Sequence, residues 1–179
     1  MEDNFKVELL KYPTDEDWML TKLCTLNTVG KTSTKLPTDE WKHQLLLSEH
    51  SPIRTLNFCF KLTIPYWVSV HLVRHKYGIE HFVQSQRNDR QDNYDRTQAP
   101  QGELVSHIIY VNAQELMFIA RRRLCTQASK ETRDVVEEMC RLVEEACPEF
   151  IGCFEPMCSY RGGRCTEFNP CGLNEKYKI

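Results

Sequence analysis

Ten residues constrain this chain more than any others. In "TLNFCFKLTI" (55–64), Leu56, Phe58, Phe60, Leu62 and Ile64 alternate with smaller or polar residues. A period of two sends all five large side chains to one face of an extended strand, which predicts a strand with one buried face. "FKVELLKY" (Phe5–Tyr12), "IEHFV" (79–83) and "ELVSHIIYV" (103–111) supply further strand candidates. Helices fall between them. Thr14 suits an N-cap, with Asp15, Glu16 and Asp17 in the first turn of a helix reaching to about Gly30. Thr38 suits the cap of "DEWKHQLLLSEH", where Trp41, Leu45 and Leu46 share a side. Pro65 fits the first turn of a helix carrying "YWVSVHLVRH" up to Lys76, and Gly78 ends it. Asn112 suits the cap of "AQELMFIARRRLC". A last helix, from about Ser129 to Ala146, carries Val135, Val136, Met139, Leu142 and Val143 on its apolar side. This order predicts α+β rather than regular βαβ alternation. Gln84–Gln101 is a long polar loop, of the kind that often carries function.

A chain of 179 residues is most simply one domain. Its net charge of −2 argues against a broad electrostatic footprint for nucleic acid or an anionic membrane, so any basic site has to be local. No apolar run of membrane-spanning length occurs, and "MEDNFKVELLKYP" lacks the apolar region of a signal peptide. The expectation is a cytoplasmic protein with no membrane partner. The nine cysteines divide unevenly. Cys24, Cys59 and Cys125 fall in segments that read as regular structure, and the rest crowd between Cys140 and Cys171. The expected division is residues 1–150 as the main domain and 151–179 as a Cys-rich tail. Three readings of the tail stay open: zinc held by Cys153, Cys158, Cys165 and Cys171, reduced free thiols, or disulfides. No Cys-x-x-Cys knuckle is present.

The stretch "HLVRHKYGIEHFVQSQRNDR" (71–90) gathers His71, His75 and His81 with the cations Arg74, Lys76, Arg87 and Arg90. On the expected helix, His71, Arg74 and His75 lie near one face. His-x-x-x-His admits a metal, but the metalloprotease pattern needs Glu after the first His, where Leu72 stands. A solvated polar face is a second reading and an anion site a third, since the Arg fork matches phosphate. On the following helix, Asn112 and Arg123 are eleven residues apart and share a face roughly 16 Å long, with Leu116 and Ile119 near it.

The order of these pieces resembles the flavin-dependent thymidylate synthases. That family carries a His/Ser/Pro-type segment leading into a Phe-x-Phe strand, here "SEHSPIRTLNFCF". Arg-His-Arg follows, here Arg74-His75-Lys76, and then a Ser with an Arg two residues later, here Ser85 and Arg87 within Gln84-Ser85-Gln86-Arg87. A helix opening on Asn and ending in Arg closes the pattern, here "VNAQELMFIARRRLCTQASKE". The spacings Phe60–Arg74 and Asn112–Arg123 fit without gaps, and the resemblance covers most of Lys6–Phe150. There are departures. Lys76 replaces the second Arg, Ser85 arrives one residue late with Gln84 in its place, and the family's Asn-Glu pair falls on His81 and Phe82. Glu80 meets that Glu only through a register shift. Gln114 stands where an Arg is usual, and Arg54 where an acid often precedes the strand.

The resemblance implies a single domain with a central, mostly antiparallel sheet flanked by helices. It implies reductive methylation of dUMP to dTMP with methylenetetrahydrofolate as carbon donor, FAD and NADPH, in a cytoplasmic homotetramer that holds FAD between subunits. Residue by residue, it implies cofactor contacts from Ser51, Arg74, His75, Lys76, His81 and Asn112. Substrate contacts would come from His71, Gln84, Ser85, Gln86, Arg87 and Arg123, with Arg123 catalytic. Two alternatives stand beside it: a diverged homologue that binds flavin or nucleotide without making dTMP, or acts on another pyrimidine nucleotide, and a small nucleic-acid-binding module. Asp89, Asp92 and Asp95, interspersed in the loop, weigh against the latter.

Overall fold

The computed structural model describes residues 5–90 and 92–177. Strands β1 (Lys6–Lys11), β2 (Asn57–Pro65), β3 (Ile79–Val83) and β4 (Leu104–Asn112) form one sheet in the order β1-β2-β4-β3, every pair antiparallel. The register explains the alternation in β2. Phe58, Phe60, Leu62 and Ile64 lie opposite Val111, Ile109, His107 and Val105 of β4, and all four β2 residues are fully buried. Val7 and Leu9 of β1 extend the same face. The opposite face carries Lys61, Glu80, Phe82 and Tyr110, all exposed. Each buried Phe or Leu contributes roughly 1.5–3 kcal/mol, so this face is the main store of stability.

Helices close the buried face. Thr14 caps α1 (Asp15–Asn27) in a capping box, its N–H donating to Asp17 Oδ2 at 2.8 Å. Thr38 caps α2 (Asp39–Leu47), whose Leu45 and Leu46 enter the core. After α3 (Tyr66–Leu72) the chain enters β3. Asn112 ends β4 and caps α4 (Ala113–Arg123) by accepting from Glu115 N at 2.9 Å. In α5 (Lys130–Ala146), Val135, Val136, Met139 and Val143 are buried on one stripe against α4 and β1.

Three expectations change. The helix expected to run to Lys76 stops at Leu72, so Arg74, His75 and Lys76 lie in a turn beyond it. His75 N bonds Leu72 O at 3.0 Å, tightening the chain, and the buried His75 ring turns inward. Gly78, at φ +69°, completes the reversal into β3. Second, α1 ends at Asn27, and the chain turns away through Gly30 at φ +67°. Third, Cys153, Cys158, Cys165 and Cys171 do not form a zinc tetrad. Among the described residues no group of three or more His, Cys, Asp or Glu is placed to hold a metal ion, and all nine thiols are free. Cys153 belongs to the main core, where burial pushes its thiol up to about 11. Cys158 sits on α6 (Met157–Tyr160) and accepts from Asn174 Nδ2 at 3.1 Å, while Cys171 is exposed.

The segment after Phe150 starts inside the core. Phe150 meets Phe58 edge-on at 5.3 Å and stacks on Phe154 at 6.0 Å. No helix among the described residues is long and apolar enough to cross a membrane.

Candidate active site

The two ends of α4 organise the chemistry. At its N-terminus a cavity of about 530 Å³ is lined by Tyr77, Gly78, Asn112, Gln114, Glu115 and Phe118, with Glu49, Arg54 and Arg121 around it. At its C-terminus a second cavity of about 380 Å³ is bordered by Arg74, His75, Phe118, Arg122, Arg123 and Cys125, with Gln127, Ala128 and Glu167. Phe118 lines both. Glu115, Phe118 and Arg122 are three and four residues apart and make one helix face. Leu116 and Ile119, which share the sequence-derived face of Asn112 and Arg123, are instead buried in the core.

Between the cavities runs a hydrogen-bond chain whose protons can be placed. Arg123 Nε, a donor only, points at His75 Nε2 at 3.2 Å. His75 Nε2 therefore carries no proton, and Nδ1–H donates to Glu115 Oε1 at 3.1 Å. Arg123 Nη2 also donates to the His71 carbonyl at 2.7 Å. Burial, then the neighbouring Arg74 and Arg122 charges, lower the Arg123 pKa from its usual value. Burial, then the Arg123 and Arg74 charges, likewise lower that of His71, whose Nδ1 lies 2.9 Å from Thr132 Oγ1.

The chain continues through the core. His81 Nε2 donates to the His75 carbonyl at 2.9 Å, and His81 Nδ1 lies 2.9 Å from His107 Nε2. His107 Nδ1 lies 3.1 Å from Ser69 Oγ. Burial, with His81 beside it, pulls the fully buried His107 down to about 4, so its ring is neutral at physiological pH. Ser69, His107, His81 and the His75 carbonyl thus form one continuous hydrogen-bonded run.

Two departures from the family pattern touch each other. Arg54 Nε donates to Gln114 Oε1 at the rim of the first cavity. Where an acid and an Arg are usual, the cation has changed sides and an amide has taken the other place.

Of the residues the sequence singles out, Arg74, His75 and Arg123 come together at the second cavity and Asn112 lines the first. His71 meets Arg123 through its carbonyl, and His81 supports His75 from β3. Ser51 and Lys76 are exposed and line neither cavity. Gln84, Ser85, Gln86 and Arg87 lie beyond the far end of β3, roughly 20 Å or more of extended chain from Gly78. There Gln84 follows the β3–β4 ladder, its N–H donating to Ser106 O at 2.7 Å and its side-chain Oε1 accepting from Ser106 N at 3.0 Å. Gln86 Nε2 donates to Glu103 at 3.2 Å, Ser85 Oγ accepts from Arg87 N at 3.3 Å, and the Arg87 fork grips Asp89 at 2.8 and 2.6 Å. Sequence reasoning missed Glu115, Phe118, Arg122 and His107. Glu115 had a signal, as an acid three residues after a helix-capping Asn.

Comparison with known proteins bears on this geometry. The family described as thymidylate synthase complementing protein matches residues 92–149, about a third of the chain. That span contains β4, α4 and α5, with Asn112 and Arg123, but not Arg74 or Arg87. The resemblance to the flavin-dependent thymidylate synthases is thereby supported. No curated protein matches the sequence. Among solved structures, the UMP/dUMP methylase PolB from Streptomyces cacaoi bound with 5-Br dUMP is similar, with a TM-score of 0.63 at 15% identity over 84% of this chain and 94% of that one. The same protein bound with 5-Br UMP gives a TM-score of 0.59 at 16% identity over 84% and 93%. At such identity the likeness is one of fold.

Proposed function

We propose that this protein methylates a uracil nucleotide, converting dUMP to dTMP with methylenetetrahydrofolate, FAD and NADPH. The observation that carries this reading is the pair of adjoining cavities, one cationic and one bordered by Asn112 and Gly78, joined through the Glu115–His75–Arg123 chain. The second cavity offers Arg74, Arg122 and Arg123 to an anion. Arg123 would face a uracil carbonyl and stabilise negative charge that develops on the ring. PolB, similar in fold, is named a UMP/dUMP methylase and holds brominated uracil nucleotides, which supports a substrate of this class.

The first cavity suits a flavin. Asn112 Oδ1 is spent on the helix cap, while its Nδ2 donates to none of the described residues. Arg121 lines the same cavity, and its buried Nε has no partner among the described residues. Tyr77, 86% exposed, offers a ring for stacking at the cavity wall. Bound FAD, reduced by NADPH, would supply the hydride of the reaction. Asn112, Arg121 and Arg54 would bind and orient it. Gln84–Arg87 lie too far along β3 to reach Arg74 in one subunit, so their part in a substrate site needs a second copy, in keeping with a homotetramer. Cytoplasmic localisation is part of the same reading.

A second reading, binding without turnover, is favoured by Phe82 in place of the motif's acid and by the Arg87–Asp89 ion pair that occupies the Arg87 fork. One experiment separates the two. The protein is titrated with FAD while the visible spectrum is recorded, dUMP is then added, and tritium release from 5-tritiated dUMP is assayed with methylenetetrahydrofolate and NADPH. Flavin uptake, a dUMP-induced shift and tritium release support the synthase. Uptake and shift without release support the binding protein, and no flavin uptake at micromolar protein rejects the synthase and leaves nucleotide binding alone, read by calorimetry with dUMP.

A further inference from the structure

We propose that Glu115 and His75 form a positioning pair for Arg123, and that a second proton on His75 releases Arg123 and with it the grip on an anionic nucleotide. The proposal rests on the reading of the second cavity as the nucleotide site.

The geometry is specific about why. A guanidinium has no acceptor, so His75 can hold Arg123 only through a bare Nε2. Glu115 ensures that bareness by taking the Nδ1 proton. Glu115 is itself fixed, because its N–H is bound by Asn112 Oδ1 and its side chain is mostly buried. The His71 carbonyl holds Nη2, so Arg123 is tethered at two nitrogens while the rest of its fork borders the cavity. Protonated His75 would present Nε2–H to Arg123 Nε–H, two donors face to face and two positive charges in contact. Glu115 cannot relieve this, since it already bonds the other ring nitrogen.

The groups around His75 come from every packed element. Glu115 and Arg123 contact its ring from α4, and Phe118 meets it edge-on at 6.1 Å. His81 of β3 donates to its carbonyl. Arg74, Arg122 and Glu167 border the same cavity. Glu115 thus meets the ring at Nδ1 and Arg123 meets it at Nε2, with Arg74, Arg122 and Glu167 bordering the cavity around them. His81, His107 and Ser69 hold the His75 backbone from behind and keep the ring from retreating when it is protonated.

The test uses the full chain and dUMP itself. Binding is measured by calorimetry from pH 5.5 to 8.5 for the wild type, His75→Gln, His75→Ala and Glu115→Ala. Gln carries an amide oxygen near the place of Nε2 and does not titrate. The expected result has four parts. Wild-type affinity falls towards tenfold per pH unit once His75 protonates. His75→Gln keeps most of the affinity at pH 8 and has a shallower profile. His75→Ala and Glu115→Ala weaken binding at pH 8 about tenfold, the size of one lost hydrogen bond to a charged group. The phosphate of dUMP titrates near pH 6 in every variant, so the difference between wild type and His75→Gln isolates His75. Nitrogen-15 NMR of the ligand-free protein supplies the second arm. It should show His75 as the Nδ1–H tautomer and a slowly exchanging Arg123 Nε–H that Glu115→Ala exposes. Parallel pH profiles for wild type and His75→Gln overturn the proposal, as does a His75 Nε2–H signal at pH 8. If the wild type binds no dUMP at any pH, the nucleotide reading of the cavity fails. The NMR arm then decides the pair by itself: a protected Arg123 Nε–H that Glu115→Ala exposes supports it, and an unprotected one overturns it.

Discussion

Arg121, Arg122 and Arg123 stand together in sequence and do different things, and a change at Glu49 separates them. Arg121 is 7% exposed, with Nη1 donating to Glu49 Oε2 at 3.0 Å and Nη2 to Oε1. Its guanidinium carbon lies 3.6 Å over the Tyr160 ring. Glu49→Ala would strand a buried cation against an aromatic face, with both forked hydrogen bonds gone. Removing one partner of a buried pair costs about 3–5 kcal/mol. The Glu49 side chain keeps 19% of its exposure, which admits some water and sets the expectation near the low end, about 3 kcal/mol. For a chain of this size that lowers Tm by roughly 6–12 °C. Urea unfolding followed by circular dichroism reads the change as a lower midpoint at unchanged slope. The double variant Glu49→Leu with Arg121→Met removes both charges and should recover most of the loss. Arg122→Ala, at an exposed site, should stay within about 0.5 kcal/mol of the parent. A Glu49→Ala cost under about 1 kcal/mol, or a double variant no better than the single, would refute the view that Arg121 is held by its ion pair.

Other substitutions and conditions probe the remaining parts. Gly78→Ala should weaken flavin uptake and stability together, because a Cβ there would come within 2.3 Å of Asn112 Nδ2 at a backbone φ of +69°; unaltered uptake and melting would contradict it. Phe58→Ala removes a fully buried ring that meets both Phe60 and Phe150, and should cost about 3–5 kcal/mol in urea unfolding. His107 gives a pH signature. Its folded pKa, about 4, lies below the ordinary 6.5, so its contribution is complete above pH 6.5 and is lost as pH falls towards 4, to a limit of roughly 3 kcal/mol. A His107→Gln protein should show a flatter urea midpoint across that window. Dialysis against a strong chelator should leave Tm unchanged, as no metal-holding group exists among the described residues.

How much of this was legible in the sequence depended on the range of the forces involved. The β2 face, the Thr14, Thr38 and Asn112 caps and the amphipathic α5 follow from local periodicity and local hydrogen bonding. The end of α3 does not. Nothing in "HLVRHKYG" forbids another helical turn, but the bond from His75 to Glu115, forty residues away, draws the chain out of the helix. The same applies to "RRR", whose three members differ only through partners in distant segments. His107 carried an unread signal, since it stands at an inward position among Val105, Ile109 and Val111. A polar residue in an apolar stripe asks for a buried partner. The tail misled because its composition suits a metal loop, while the separation of its thiols is set by the packing of Cys153, Phe150 and Phe154 into the main core.

The crowding of imidazoles and cations between 71 and 90 resolves into two physical roles. Burying a neutral imidazole is cheap when both nitrogens are bonded, as in His107, which sits between Ser69 and His81. Burying a guanidinium is not, and Arg121 accordingly brings Glu49 with it. Arg123 is the intermediate case. It is half-buried, its pKa is lowered by burial and by Arg74 and Arg122, and its protein partners are a bare imidazole nitrogen and a carbonyl, neither of them charged. A cation with two more cations beside it, against the single acid Glu167 at the cavity border, leaves positive potential directed into the cavity. An anion entering there meets a guanidinium already oriented and only partly neutralised, and that residual charge is the part of the fold least explained by folding.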